Sequence, residues 1–251
     1  MKDTYRPLTT REQNMWIKRL QTSILDGFDE AVTETIRWLQ SPQATEYFFK
    51  QRGQLNTFFR ESGIQERWQE IIDNRAQRGA DITKEIYDYA RSVNMTNHLV
   101  DYTRAERAAL NRLCDYNYEL IRNVTNDEIT AIRRRLVQDY AEGNNPRQSH
   151  LRELALEPIN GFSPAKRAEM IARTESARAL NVSTLETMRA DGVQYVVLYG
   201  CNDDCDICSR YMDEEHPVKI DDALEVGVPH PNCRGAWVVV ADKDTGLYIS
   251  P

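Results

Sequence analysis

No run of about 18 apolar residues occurs in the sequence, so a helical membrane span is not expected. The opening Met1-Lys-Asp-Thr-Tyr-Arg-Pro lacks the apolar centre of a signal peptide. Internal repeats and low-complexity segments are absent. So are the common catalytic signatures: there is no H-E-x-x-H, no G-x-S-x-G and no Walker loop. A zinc deaminase needs a histidine followed by x-Glu, and none of His98, His150, His216 or His230 is so placed. Cysteine is scarce and odd in number. Four of the five lie within 33 residues, whereas a secreted disulfide framework would spread them more evenly. A reducing, intracellular origin and a metal site fit that clustering better.

Apolar residues make up 41% of the 251 and charged residues 28%. That balance suits long, solvent-washed helices better than one compact globule. The net charge of −7 is unevenly placed. Residues 191–251 carry 12 acids against 4 bases, or −8, while residues 1–190 are near neutral. An acidic segment is a poor docking surface for phosphate backbones.

Residues 1–146 read as a helical interaction region. Thr9-Thr-Arg-Glu12 is a capping box, and behind it Trp16, Leu20, Ile24, Phe28, Val32 and Ile36 form one stripe, stopped at Ser41-Pro42. Shorter helices are expected over about 43–77, around Tyr47, Phe48, Phe49, Phe58, Phe59 and Trp68, with Gly53 and Gly63 as breaks. A separate helix is expected over 80–98. Thr103-Arg-Ala-Glu106 opens a long pattern through Leu110, Leu113, Ile121, Ile132 and Leu136, which Thr125 and Glu128 would split as a further box, and which stops at Gly143-Asn-Asn-Pro146. These stripes read as helix-packing core.

Residues 147–251 read as a second module. Asn160-Gly161 closes a short element; Ser163-Pro164 is an N-cap followed by proline at N1, and Gly192 stops the helix it starts. The inner face would be Met170, Thr174, Ala177, Asn181, Leu185 and Met188. Val193–Tyr199 and Ala236–Ala241 carry strand signals. The fold class is therefore mainly α: long N-terminal helices plus a small C-terminal α+β unit with a zinc-clamped antiparallel β-hairpin.

Between the strands lies Cys205-Asp-Ile-Cys208 and, after 21 residues, His230-Pro-Asn-Cys233. Three thiolates and one imidazole make a tetrahedral Cys3His shell suited to structural Zn²⁺, and four protein ligands leave no open position for catalysis. The segment is small and charged, so a metal would supply stability that an apolar core does not. Cys201 is a spare thiol or the alternative ligand to His230. Its spacing, Cys201-x3-Cys205-x2-Cys208, matches an iron–sulfur pattern, but only 43 residues follow Cys208 and the preceding chain is helical. His216, beside Glu214 and Glu215, reads as a solvent-facing loop histidine, and Cys114 as a buried helix residue. Arg173, Thr174, Glu175 and Arg178 share a helix lined by alanines, and Glu175 with Arg178 is an i,i+3 pair.

Ala172-Arg173-Thr174-Glu175, preceded by Ser163-Pro-Ala-Lys-Arg-Ala, together with His230-Pro-Asn-Cys-Arg234, resembles the phage Mu F-like minor head protein family, the phage head morphogenesis proteins. The resemblance spans about residues 125–240 and includes the knuckle Asp203-Asp-Cys205-Asp-Ile-Cys208. The family's closing H-P-N-C-R-C has Gly235 here in place of its last cysteine, for which Cys201 would compensate. The "LDG" that follows the family's knuckle is Tyr211-Met-Asp213-Glu here. The resemblance implies a non-enzymatic minor protein of the virion head, in few copies or as a homo-oligomer, made in the host cytoplasm. It implies contact with the portal or the major capsid protein, and with packaged DNA, during assembly, packaging or DNA ejection. Some relatives carry a toxin or transferase domain after this module; with the sequence closing at Pro251, none is expected. The rival readings are a zinc-stabilised nucleic-acid binder using Arg133-Arg-Arg135, whose blander reading is a solvated helix face, and an iron–sulfur or transferase enzyme. The Arg173/Glu175 helix is expected to orient the zinc unit by polar contacts rather than by a large apolar core.

Overall fold

The computed structural model describes residues 9–44, 59, 62–94, 102–142, 151–155, 157–158, 161–201 and 205–240. Tyr47, Phe48, Phe49, Gly53, Phe58, His98, the Gly143–Pro146 stop, His150, Asn160, Asp203, Asp204 and Ala241 lie outside the described residues. The chain is mainly helical, with a small three-stranded antiparallel sheet near its C-terminus. Its α-helices are α1 (Thr10–Leu39), α2 (Ile64–Asn94), α3 (Arg104–Ala141), α4 (Pro164–Ala190) and α5 (Ile220–Val226). The strands are β1 (Tyr195–Tyr199), β2 (Val218–Lys219) and β3 (Ala236–Val239). No described helix is long and apolar enough to cross a membrane.

The capping boxes expected at Thr9 and Thr103 form. Thr9 N–H donates to the Glu12 carboxylate at 2.7 Å and Glu12 N–H to Thr9 Oγ1 at 3.3 Å. Thr103 and Glu106 repeat the exchange at 2.7 and 3.1 Å. Each box satisfies two N–H groups that the first helical turn leaves without partners. Pro42 stops α1 and also starts a new turn, in which Ser41 Oγ accepts from Ala44 N–H at 3.2 Å.

Two expected breaks are absent. The elements expected over 43–77 and 80–98 are joined in the single helix α2, which runs from Ile64 to Asn94. Gly79, between them, is a packing residue: a Cβ there would lie 2.0 Å from Ile121 Cδ1 of α3. Nor do Thr125 and Glu128 split α3. The Thr125 hydroxyl donates to the Ile121 carbonyl four residues back at 2.8 Å, and Glu128 is drawn to a buried arginine instead.

Contacts divide the chain into two compact units: Met1–Leu20, Ala80–Tyr116 and Glu169–Pro251 in one, Gln21–Gly79 and Asn117–Ala168 in the other. This division cuts across the boundary expected at residue 146, because α1, α2 and α3 each supply residues to both units.

The second of these units has an aromatic-rich core of Phe28, Val32, Phe59, Trp68, Ile71, Ile132 and Leu136. Phe59 and Trp68 stack at 5.6 Å, and Trp68 Nε1 donates to Thr35 Oγ1 at 3.0 Å. Beside this core Arg75 and Glu128 form a buried ion pair at 3.1 Å, with Arg75 also donating to the Ile24 carbonyl. Burial pushes the Glu128 carboxyl up and the Arg75 guanidinium down, each opposed by the other's charge. Gly27 makes the room, since a Cβ there would overlap Arg75 Nε at 1.4 Å. Gly27→Ala is therefore expected to lower the thermal midpoint, even though alanine favours a helix interior over glycine by about 1 kcal/mol. A raised midpoint in differential scanning calorimetry would contradict this packing.

In the first unit, Tyr87, Ala109, Leu110, Leu113 and Val182 form one apolar cluster. A larger one joins α4 to the sheet through Leu185, Met188, Val196, Leu198, Ile220, Val228 and Trp237. The Cys/His segment thus has an apolar core after all, contrary to expectation, because the last turns of α4 turn leucine and methionine onto the sheet. The strand order is β2-β1-β3. The expected hairpin is the β1–β3 pair, in register from Val196↔Val239 to Tyr199↔Ala236. The strand β2, pairing Val218 with Val196, adds an unexpected third strand and makes β1 the central one.

Candidate metal centre

The site is built from the ends of three elements. Ser163 Oγ accepts from Lys166 N–H at 3.4 Å and so starts α4. At the other end Gly192 adopts φ 85°, with Val193 N–H donating to the Met188 carbonyl at 3.0 Å and Gly192 N–H to that of Arg189 at 3.1 Å. That is a Schellman termination, which turns the chain directly into β1. Register then does the rest. The β1–β3 ladder ends at Tyr199↔Ala236, so Cys201, just past one strand, meets Cys233, just before the other, with sulfurs 3.8 Å apart.

Two knuckles complete the cluster. Cys208 opens a 3₁₀ turn, and its N–H donates to Cys205 Sγ at 3.5 Å. Asn232, in the left-handed region at φ 63°, folds His230-Pro-Asn-Cys back so that Cys233 N–H reaches the His230 carbonyl, while Gly235 N–H donates to Cys233 Sγ at 3.4 Å. N–H groups aimed at sulfur favour thiolate. The Cys208 N–H accordingly holds the Cys205 thiol below its ordinary range. Burial pushes the Cys208 thiol up and that of Cys201 up to about 11.

Five donors come together as two triads, Cys205–Cys208–His230 and Cys201–Cys208–Cys233, which share Cys208. His230 Nε2 lies 3.3 Å from Cys205 Sγ and 3.1 Å from Cys208 Sγ, and the Cys208 and Cys233 sulfurs are 3.5 Å apart. Bonds of ~2.3 Å to sulfur and ~2.0 Å to nitrogen give tetrahedron edges of about 3.5–3.8 Å; the Cys208–Cys233 and Cys201–Cys233 spacings fall in that range, and the two from His230 Nε2 are shorter. His230 Nδ1 lies 2.7 Å from the Pro231 carbonyl, which can only accept. This fixes the proton on Nδ1 and leaves the Nε2 lone pair facing the sulfurs, the outer-shell arrangement of a metal-ligating histidine. The Cys/His cluster can hold a metal ion.

Gly235 is part of this geometry. A Cβ at 235 would lie 2.4 Å from Cys201 Sγ and 2.8 Å from Leu198 Cγ. Cys201 therefore fills the space that a side chain at 235 would take.

The helix α4 meets the cluster through Thr174 and Asn181, both on its expected inner face, and not through Arg173 and Glu175. Thr174 Oγ1 accepts from Asn232 N–H at 3.1 Å. Asn181 Nδ2 donates to the Gly235 carbonyl at 3.1 Å and to that of Gly227 at 3.3 Å, where Trp237 Nε1 also donates. Arg173 instead pairs along its own helix with Glu169, and buried Glu175 pairs with Arg178 at 3.1 Å. Burial raises the Glu175 carboxyl against the pull of Arg178. Asn181→Ala strands the buried Gly235 carbonyl and is expected to cost about 1–3 kcal/mol, read by denaturant unfolding at fixed metal content.

His216 takes no part in the cluster; its side chain is exposed and paired with Asp213. Cys114 is half-buried, with its thiol on the Ala80 carbonyl. Of the Arg133-Arg-Arg135 run, Arg133 lies over the Phe59 ring and Arg135 pairs with Asp139 and Glu157. Only Arg134 is fully exposed, which leaves little of a basic stripe.

No protein-family model, curated protein or solved structure matches the chain.

Proposed function

We propose that the chain is a non-enzymatic minor head protein of a phage or prophage, acting near the portal in head assembly, genome packaging or DNA delivery. The observation that carries this reading is the Asn232 N–H to Thr174 Oγ1 hydrogen bond. It joins, across 58 positions of sequence, the two strings on which the resemblance to the Mu F-like family rests: Ala172–Glu175 and His230–Arg234. In the same reading the metal is structural Zn²⁺ held by Cys205, Cys208, His230 and Cys233, with Cys201 as the alternative ligand. The ion fastens both knuckles to the sheet and to α4, and with four protein ligands it has no position for substrate. The module then serves as a rigid, acidic knob, and its partners are the portal or major capsid protein. The protein occupies the virion head in few copies.

The test is to locate the chain in purified particles and to measure their metal. Co-purification with the portal and stoichiometric zinc are expected. A protein that stays free in the host cytoplasm and never enters heads would overturn the assignment.

A further inference from the structure

Arg173 and Ser176 stand one turn apart on α4, facing a cavity of about 510 Å³. Each brings to it a buried polar atom with no protein partner, Arg173 Nε and Ser176 Oγ. Ser176 is 1% exposed. The hydroxyls of Thr174, Thr184 and Thr187 on the same helix donate to the carbonyl four residues back, whereas that of Ser176 does not. A buried hydroxyl left without a partner is costly, and such groups ordinarily have one.

Arg173 pairs with Glu169 through Nη2, which leaves its Nε as the unpartnered donor. Arg234, just ahead of β3, supplies a second guanidinium and has no ion-pair partner among the described residues. No Asp or Glu is found among the described residues of the wall. Its two arginines come from both parts of the chain, Arg173 from the near-neutral residues 1–190 and Arg234 from the acidic residues 191–251. The rest of the wall mixes apolar side chains, Ile17, Leu180 and Trp237 among them, with the polar Gln13, Asn14, Asn181 and Thr184, and Tyr199 at the end of β1 keeps 66% of its surface exposed.

The volume falls within the ~300–1,000 Å³ of small-molecule sites and exceeds what one inorganic anion fills. A phosphomonoester carries about −1.5 to −2 charges and three acceptor oxygens. Its three oxygens match three donors, Arg173 Nε, the Arg234 guanidinium and the Ser176 hydroxyl, whereas the two oxygens of a carboxylate would serve one fewer. We infer that this cavity binds a phosphomonoester carried on a planar ring, the chemistry of a nucleoside monophosphate. Arg173, Arg234 and Ser176 hold the phosphate, and the ring lies against Tyr199 and Ile17. The same group comes either from a free nucleotide or from the phosphorylated end of a strand.

The experiment is isothermal titration of the full chain, at matched metal content, with thymidine 5′-monophosphate, thymidine, inorganic phosphate, and a short strand with or without a 5′-phosphate. Binding of the monophosphate is expected, with thymidine and inorganic phosphate each weaker by roughly tenfold or more. Arg234→Ala is expected to weaken it about ten- to a hundredfold, the value of a charge-assisted hydrogen bond. Ser176→Ala should weaken it several-fold without lowering the thermal midpoint, because the hydroxyl bonds nothing in the protein. Tighter binding of the phosphorylated strand than of the nucleotide would assign the strand end as source, and the reverse the free nucleotide. Absence of monophosphate binding at millimolar concentration, or binding untouched by both substitutions, overturns the inference. Inorganic phosphate binding as tightly as the nucleotide overturns the role of the ring.

Discussion

Cys208→Ser is expected to abolish metal retention and to unfold the knuckle segment. Cys208 is the sulfur common to both triads and is 1% exposed, so its loss breaks both at once. Structural zinc is worth about 10–16 kcal/mol of apparent binding free energy in small modules, against a typical folding margin of about 5–15 kcal/mol. Loss of even part of it removes the restraint on residues 200–235. Two measurements check this: metal content after gel filtration, and tryptophan fluorescence. The second reports on Trp237, which is buried against Leu185, Met188 and Val228 and touches Tyr211 edge-on at 5.8 Å. A chelator added to the unmodified protein should reproduce the fluorescence change. Cys201→Ser should retain the metal if Cys205, Cys208, His230 and Cys233 form the shell. A Cys208→Ser protein with full metal and unchanged fluorescence would rule out the centre.

Breaking the Arg75–Glu128 pair is expected to have the next largest effect. Either Arg75→Met or Glu128→Leu leaves one buried charge uncompensated, which costs about 3–5 kcal/mol. The double substitution should recover most of that loss. The desolvation that pushes both groups toward neutrality then disappears. The Ile24 carbonyl that Arg75 touches lies within α1, where it keeps its helical partner. Chemical denaturation of the four proteins closes the cycle. Additive losses in the double variant would show that the two charges are not coupled.

The helical half was legible where local chemistry acts alone. The Thr9–Glu12 and Thr103–Glu106 boxes and the stripe from Trp16 to Val32 need only neighbouring residues, and all are present. The Thr125–Glu128 box failed because a distant arginine outcompetes a local N–H for a buried carboxylate. The gap expected before residue 80 failed because Gly79 answers to Ile121 on another helix, which no window of sequence contains. A two-residue strand, β2, has no periodicity to detect.

At the site, C-x2-C and H-x2-C pointed to the donors, since knuckle geometry is local. The supports were legible only as positions on the inner face of α4, Thr174 and Asn181 among them, and not by their partners. Asn181, on a helix flanked by Leu180 and Val182, carries no sign that it caps two carbonyls beyond its own element. Likewise the pairing of Gly235 with Cys201 exists only once β1 and β3 are in register.

That pairing constrains how the chain can change. A side chain at 235 and a sulfur at 201 compete for one volume, so the two positions are epistatic. Gly235→Cys alone drives a Cβ into Cys201 and Leu198. Made after Cys201→Ala, the same substitution returns a thiol to the vacated space from the opposite strand. The order of the two steps decides whether the intermediate folds. The H-P-N-C-R-C ending of the family that this chain resembles and the H-P-N-C-R-G ending found here are thus joined by a path with a fixed order of steps: residue 201 must lose its sulfur, and Leu198 must shift, before residue 235 gains a side chain.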